Sequence, residues 1–118
     1  MTAVVDAGRI VNHELARGQV EGGIVQGVGF ALTEETVYEG GRVANAQMTN
    51  TLIPTAEDAP RVEVFFWEPG EAGSPKGLGE LPLDGAAPAI VNAVVQAVGR
   101  PIRRLPASPE FVLEALHG

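Results

Sequence analysis

The sequence predicts an α+β fold, in which a small mixed or antiparallel sheet packs with two main helices and a short C-terminal helix. Three observations lead to this prediction. A chain of 118 residues is a single domain, spanning 1–118, and buries about 65% of its unfolded surface, which is enough for a core. Apolar residues recur with helical spacing within residues 14–33, and they alternate with other residues, as in a strand, within residues 61–67.

The first two predicted elements are a strand and a long helix. Thr2–Val5 is a β-prone run, and a loop over residues 6–12 separates it from a helix over about 14–33. The apolar positions of this helix lie one turn apart, at Val20, Ile24, Val28 and Leu32. Because the strand begins almost at Met1, we expect the chain to be a fragment of a larger protein or a split subunit.

A hairpin and a further strand are predicted next. Residues 36–38 and 42–44 flank two glycines, Gly40 and Gly41, which suit a tight turn between antiparallel strands. Residues 61–67 then alternate in a pattern typical of a strand that is partly covered on both faces. A glycine-rich loop over residues 68–80 follows.

Two helices complete the chain. A second helix is predicted over about 85–98, with Asp84 as its N-cap and Pro88 in its first turn. Its residues are nearly all small and apolar, so we expect other polypeptide to cover most of its sides. A last helix opens at Pro109, after a serine cap, and ends near Leu116.

Composition excludes several functional classes. Eight basic against fifteen acidic residues give a net charge of −7, which argues against nucleic acid and anionic membrane as partners. The chain has no cysteine, so it has no disulfide and holds no iron–sulfur cluster. The apolar stretch near residues 20–32 is too short and too polar to span a bilayer. These features favour a cytoplasmic protein.

The loop over residues 68–80 contains four glycines and two prolines and ends at the carboxylate of Glu80. Glycines permit positive φ and the close approach of a ligand, and such loops often carry chemistry. The apolar residues that follow, Leu81, Pro82 and Leu83, would desolvate the carboxylate, which makes Glu80 a candidate proton acceptor. The alternative is that Glu80 caps the following helix or pairs with Lys76.

One face of the first helix combines amides with glycines. The residues concerned follow the spacing i, i+3, i+4, i+7: Gln19, Gly22, Gly23 and Gln26. Such a face fits a planar ligand that both donates and accepts hydrogen bonds. The alternative is that the glycines admit another helix or strand at close range.

Other chemistries find no support in the sequence. His13 and His117 have no partner at ligand spacing, so no metal site made of protein side chains is predicted. Residues 70–76 lack the ending of a phosphate-binding loop. Ser74 has no histidine and aspartate arranged around it as in a catalytic triad.

Taken together, several segments resemble the C-terminal part of the molybdopterin-binding (large) subunit of the xanthine dehydrogenase/aldehyde oxidase family. The segments are 5–12 (VDAGRIVN), 18–29 (GQVEGGIVQGVG), 53–55 (IPT), 76–80 (KGLGE) and 105–110 (LPASPE). The resemblance runs nearly from end to end. It implies that the chain is a portion of a larger molybdopterin-binding domain.

The resemblance also implies roles for individual residues. Glu80 corresponds to the active-site base of that family, which takes a proton as oxygen attacks an electron-poor carbon. Gln19 corresponds to a glutamine beside the pterin, which agrees with the amide-and-glycine face. The predicted cofactor-binding residues are then Gln19, Gly22, Gly23, Gln26 and Gly79. The substrate is then an aldehyde or an N-heterocycle, with water as the source of oxygen.

The partners implied are the remainder of the molybdopterin subunit and the iron–sulfur and flavin subunits. The cofactor would be molybdenum–molybdopterin in the complete assembly, with Fe–S and FAD on other chains or segments, and the chain alone would be inactive. One alternative is a non-catalytic assembly or binding module that keeps this fold. A small hydrolase that uses Glu80 alone is a weaker one, because no nucleophile or second carboxylate is evident.

Overall fold

The computed structural model describes residues 1–67, 70 and 73–117. The part of the glycine-rich loop at residues 68, 69, 71 and 72 lies outside the described residues. The elements in chain order are β1 (Thr2–Val5), α1 (His13–Leu32), β2 (Tyr38–Glu39), β3 (Arg42–Val43), β4 (Glu63–Phe66), α2 (Leu81–Val98) and α3 (Pro109–His117). The predicted α+β class, with two main helices and a short last one, agrees with this order.

The strands form two separate pairs rather than the single mixed or antiparallel sheet that we predicted. β2 and β3 make the predicted antiparallel hairpin, and both glycines of its turn, Gly40 and Gly41, have positive φ values of 56° and 77°. β1 instead pairs in parallel with β4. A parallel pair needs a crossover connection. Here the connection between β1 and β4 contains α1 and the β2–β3 hairpin, and the hairpin strands pair only with each other.

Helix α1 joins the β1–β4 pair to α2. It begins after Asn12, whose side-chain oxygen accepts a hydrogen bond from the Leu15 amide at 3.0 Å. Val20 and Ile24, on the predicted apolar face, are 0% and 4% exposed. They form one core cluster with residues of β1, the following loop and α2: Val5, Ala7 and Ala86. The core therefore lies where α1 contacts both the sheet and α2.

Glycines of α1 bring α2 very close. A Cβ atom added at Gly23 would lie 2.8 Å from the Pro82 Cβ, and one added at Gly27 would lie 2.5 Å from the Ala86 Cβ. Both distances are shorter than real side chains tolerate, so glycine is required at this helix crossing. Close packing is thus the role of Gly27, and Gly23 takes part in the same contact.

Gly27→Ala is expected to lower the free energy of unfolding by about 1–3 kcal/mol, because the added methyl group overlaps Ala86. Gly18→Ala is the matched control. It lies on the same helix with nothing within 4 Å of its Cβ position, so it should raise stability by up to about 1 kcal/mol. Chemical denaturation of the two variants measures both values. Equal effects of the two variants would contradict the packing role.

Helix α2 begins earlier than predicted. It starts at Leu81, so Asp84 lies in its first turn and is not the predicted N-cap. Pro88, which was predicted in the first turn, lies inside the helix. Glu80 takes the N-cap position, and the Leu83 amide bonds to its carbonyl at 2.9 Å. The reason is Pro82, whose missing N–H costs nothing in a first turn and whose fixed φ suits a helix start.

Among the described residues, α2 is the one helix whose length and composition meet the criteria for a membrane-spanning segment. Its mean hydropathy is 1.3, and 11% of the segment is buried. This is weak support for a membrane span, because core helices of soluble proteins also meet those criteria. The apolar stretch singled out in the sequence, residues 20–32, lies instead in α1. The absence of a membrane partner stays a prediction.

Candidate functional site

A single cavity of about 290 Å³ brings together all the residues predicted for the site. Its lining comprises Gly18, Gln19, Gly22, Gly23, Gln26, Gly79, Glu80 and Leu83. The α1 residues contribute one wall, and the end of the glycine-rich loop with the start of α2 contributes the other. Residues some 60 positions apart in sequence therefore face one space.

A hydrogen bond connects the two walls. The Gln19 side-chain amide donates to the Gly79 carbonyl at 2.6 Å. Gly79 immediately precedes Glu80, so α1 holds the peptide that carries the candidate base. Gln19 thereby acts on the loop itself, a contact that its sequence position does not reveal.

The loop is also held at Lys76 by the segment after β1. The Lys76 backbone amide donates to the Ala7 carbonyl at 2.9 Å, and the Lys76 Nζ lies 2.6 Å from the Asp6 Oδ2. Gly8 lies opposite Pro75 with a φ of 61°, and a Cβ atom there would overlap the Ser74 carbonyl oxygen. Gly8 is therefore required where the two segments meet.

Asp6 and Gly8 are site-supporting residues that the sequence reasoning missed. The sequence predicts only that Asp6 lies in a loop, and it offers Lys76 as a partner of Glu80. The available signal was the VDAG segment, in which an acid and a glycine directly follow a strand. Local spacing gives no indication that its partner is Lys76, 70 residues away.

The Asp6 carboxylate has a pKa below its ordinary value of 3.8, because it accepts hydrogen bonds from the Lys76 side chain and then from the Gly8 amide. A lowered pKa in the folded state stabilises the fold above 3.8, and this contribution disappears as the pH falls through the folded-state value. The stability difference between wild type and Asp6→Asn should therefore be largest near neutral pH and shrink below 3.8. Thermal unfolding across this range, with Glu39→Gln as an exposed control, measures it. A difference that grows on acidification would contradict the assignment.

Glu80 is exposed, and so is the side chain of Leu81, at 46%. The prediction that the apolar residues after Glu80 desolvate its carboxylate is therefore wrong within this chain, because α2 turns Leu81 outward and Glu80 stays exposed even though Leu83 lines the same cavity. The structural alternatives for Glu80 also fail. Its side chain makes no capping hydrogen bond, and Lys76 pairs with Asp6. The carboxylate remains available at the edge of the cavity.

The two adjacent glycines of the α1 face have different surroundings: Gly22 is open to the cavity and Gly23 packs against α2. Gly22 is exposed, and no atom lies within 4 Å of the position that its Cβ would take. Gly23, which we expected to share this open patch, lines the cavity but also contacts Pro82. The helix periodicity turns adjacent residues by about 100°, so one glycine faces the cavity while its neighbour meets α2. Gln26 is exposed beside Gly22.

Comparisons with known proteins show which family the chain resembles. Residues 1–60 match the family described as Molybdopterin cofactor-binding domain. The chain is 41% identical over 119 residues to the putative xanthine dehydrogenase molybdenum-binding subunit XdhA of Escherichia coli (strain K12). This alignment covers 97% of this chain and 16% of the relative. It is 39% identical over 122 residues to the aldehyde oxidoreductase molybdenum-binding subunit PaoC of the same organism, covering 98% of this chain and 17% of the relative.

The fold is likewise similar to solved structures. Quinoline 2-oxidoreductase from Pseudomonas putida 86 superposes with a TM-score of 0.87 at 32% identity, over 98% of this chain and 16% of that one. The chain thus spans about a sixth of the length of the relatives that it matches.

Proposed function

Because the chain belongs to the family of molybdopterin cofactor-binding domains found in the molybdenum-binding subunits of xanthine dehydrogenases and aldehyde oxidoreductases, we propose that it supplies the base and part of the pterin pocket of a molybdenum hydroxylase. Members of this family are molybdopterin oxidoreductases. The proposal assigns Glu80 as the proton acceptor. It assigns Gln19, Gly22, Gly23, Gln26 and Gly79 to the cofactor side of the same cavity.

The observation that carries the proposal is the convergence of Glu80 with the amide-and-glycine face of α1 on one cavity. The lining fits a planar polar group. Gly22 leaves space where any other residue would place a side chain, and the exposed amide of Gln26 offers a donor and an acceptor beside it. A carboxylate at the rim of such a pocket is placed to exchange a proton with a molecule bound there.

The reaction would oxidise an aldehyde or an N-heterocycle, with water as the source of oxygen. When bound, the molybdenum–molybdopterin cofactor supplies the acceptor for the two electrons that the substrate loses. Glu80 takes up the proton that is released as oxygen from water bonds to the electron-poor carbon. Gln19 positions the base, because its amide fixes the Gly79 carbonyl, and the Asp6–Lys76 pair fixes the other side of the turn.

Turnover would require the remainder of the molybdenum-binding subunit. The chain spans 16–17% of its relatives, whose names describe them as subunits, and the exposed carboxylate of Glu80 needs cover before it is desolvated. Iron–sulfur clusters would lie on other chains or segments, since this chain has no cysteine to bind them. The proposal places the flavin on another chain or segment as well. The iron–sulfur and flavin subunits are thus the further partners that we propose.

A second candidate is a non-catalytic assembly module that keeps the fold. Nine of the 18 residues of α2 are exposed and only 11% of the segment is buried, which favours this candidate because an apolar helix with so little cover is typical of a part that docks. Replacement of Glu80 in the assembled enzyme separates the two candidates. Turnover falls if Glu80 is the base, and it is unchanged if the chain only assists assembly.

A further inference from the structure

A second cavity, of about 580 Å³, lies along strand β1, and no residue of β4 is among its lining residues. It is twice as large as the candidate site and contains none of its residues. Its walls are β1 itself, the buried residues Val20 and Ile24 of α1, and the first turns of α2 around Pro82 and Ala86. The cavity is therefore lined in part by residues of the hydrophobic core, namely Val20, Ile24 and Ala86.

Only half of the backbone N–H and C=O groups of β1 take part in hydrogen bonds with β4. The Glu63 amide donates to the Met1 carbonyl at 2.9 Å, and the Trp67 amide donates to the Val5 carbonyl at 2.8 Å. In a parallel pair, alternate residues direct both backbone groups to one neighbour, so Met1, Ala3 and Val5 face β4. The N–H and C=O groups of Thr2 and Val4 therefore point away from β4, and both residues also line the second cavity.

The unpaired edge of β1 is suited to bind another strand. A two-stranded sheet is marginal in water, and parallel strands are normally buried within larger sheets. Unpaired backbone groups at an edge are a template for pairing with a further extended segment. Side chains of any partner segment could cover Val20 and Ile24. The unpaired N–H and C=O groups of Thr2 and Val4, however, are matched only by the backbone of an extended segment.

We propose that a β-strand from the remainder of the molybdenum-binding subunit pairs with the free edge of β1 and fills the second cavity. The identity of the partner rests on the proposed function. In the relatives, about five sixths of the subunit lies outside the region matched by this chain, which supplies ample polypeptide. The inward side chains of the added strand are apolar, because they meet Val20, Ile24 and Ala86. Recognition follows the strand-addition mode, in which backbone bonds supply affinity and the pocket selects side chains.

Val4 provides a matched pair of variants for the test. Val4→Pro removes the N–H that faces the second cavity and leaves the bonds to β4, while Val4→Ala keeps that N–H and shortens the side chain. Val4→Pro should lower the yield of the assembled subunit about tenfold or more, because a backbone acceptor of the partner loses its donor. Val4→Ala should change it much less. Slow exchange of the Glu63 and Trp67 amides in both variants shows that the β1–β4 pair is intact.

Hydrogen exchange in the intact enzyme gives an independent result. The Val4 amide should exchange at least roughly 100-fold more slowly than an unpaired amide, as expected for a strand within a sheet. Rapid exchange of Val4 would overturn the proposal, as would equal assembly losses in the two variants. Protection that appears in the purified chain and disappears on dilution would assign the edge to a second copy, and would also overturn it. None of these readouts depends on turnover, so failure of Glu80 as the base leaves them unaffected.

Discussion

Glu80→Gln is expected to lower the turnover of the assembled enzyme at least about 10²-fold, the low end of what a positioned base contributes. The amide keeps the shape and hydrogen-bonding capacity of the side chain but cannot take up a proton. Cofactor content and substrate affinity should stay unchanged, because Glu80 lies at the rim of the cavity and holds no part of the loop. Steady-state kinetics with molybdenum and pterin analysis of the same samples measures both quantities.

Two further variants sharpen this result. Glu80→Asp should recover little activity, since the shorter side chain moves the carboxylate by about 1 Å and displacements of that size can cost about 10²-fold. Glu114→Gln makes the same chemical change at an exposed position of α3 and should leave turnover unaltered. Normal turnover of Glu80→Gln at full cofactor occupancy would reduce Glu80 to a structural residue and favour the assembly module.

Gly22→Val is expected to abolish cofactor retention in the assembled enzyme while the subunit still assembles. The position is exposed and open, so the branched side chain would occupy the cavity and not the core. Valine at an exposed helix position is at least as favourable as glycine for the helix itself, so the chain should not lose stability. Molybdenum and pterin content, together with the thermal unfolding of the chain, measure these two effects.

Gly23→Val serves as the comparison at the neighbouring position. Its side chain would overlap Pro82, so this variant should lose stability as well as cofactor. Gly22→Ala, which adds one methyl group, should cause a smaller loss of cofactor than Gly22→Val. If cofactor content is normal in Gly22→Val, the open glycine position has no part in binding the pterin.

Local sequence signals determined most of the elements of this protein, although α2 begins at Leu81, earlier than they predicted. The helical spacing around Val20 and Ile24 predicted α1 to within a residue or two at each end, and the paired glycines predicted the hairpin turn. The Ser108 hydroxyl accepts from the Phe111 amide at 3.4 Å, in line with the cap predicted for α3. These signals depend on residues a few positions apart, so the sequence contains both partners of each interaction.

The tertiary structure alone decided which distant residues meet. It paired β1 with β4 in parallel, and it placed Lys76 on Asp6 instead of Glu80. It also assigned Gly22 to open space and Gly23 to a helix contact, although both are glycines on one predicted face. These outcomes depend on the crossing of α1 with α2 and on contacts between segments about 60 to 70 residues apart. Periodicity within one segment carries no information on such contacts, because the partner segment fixes which side of each element is covered.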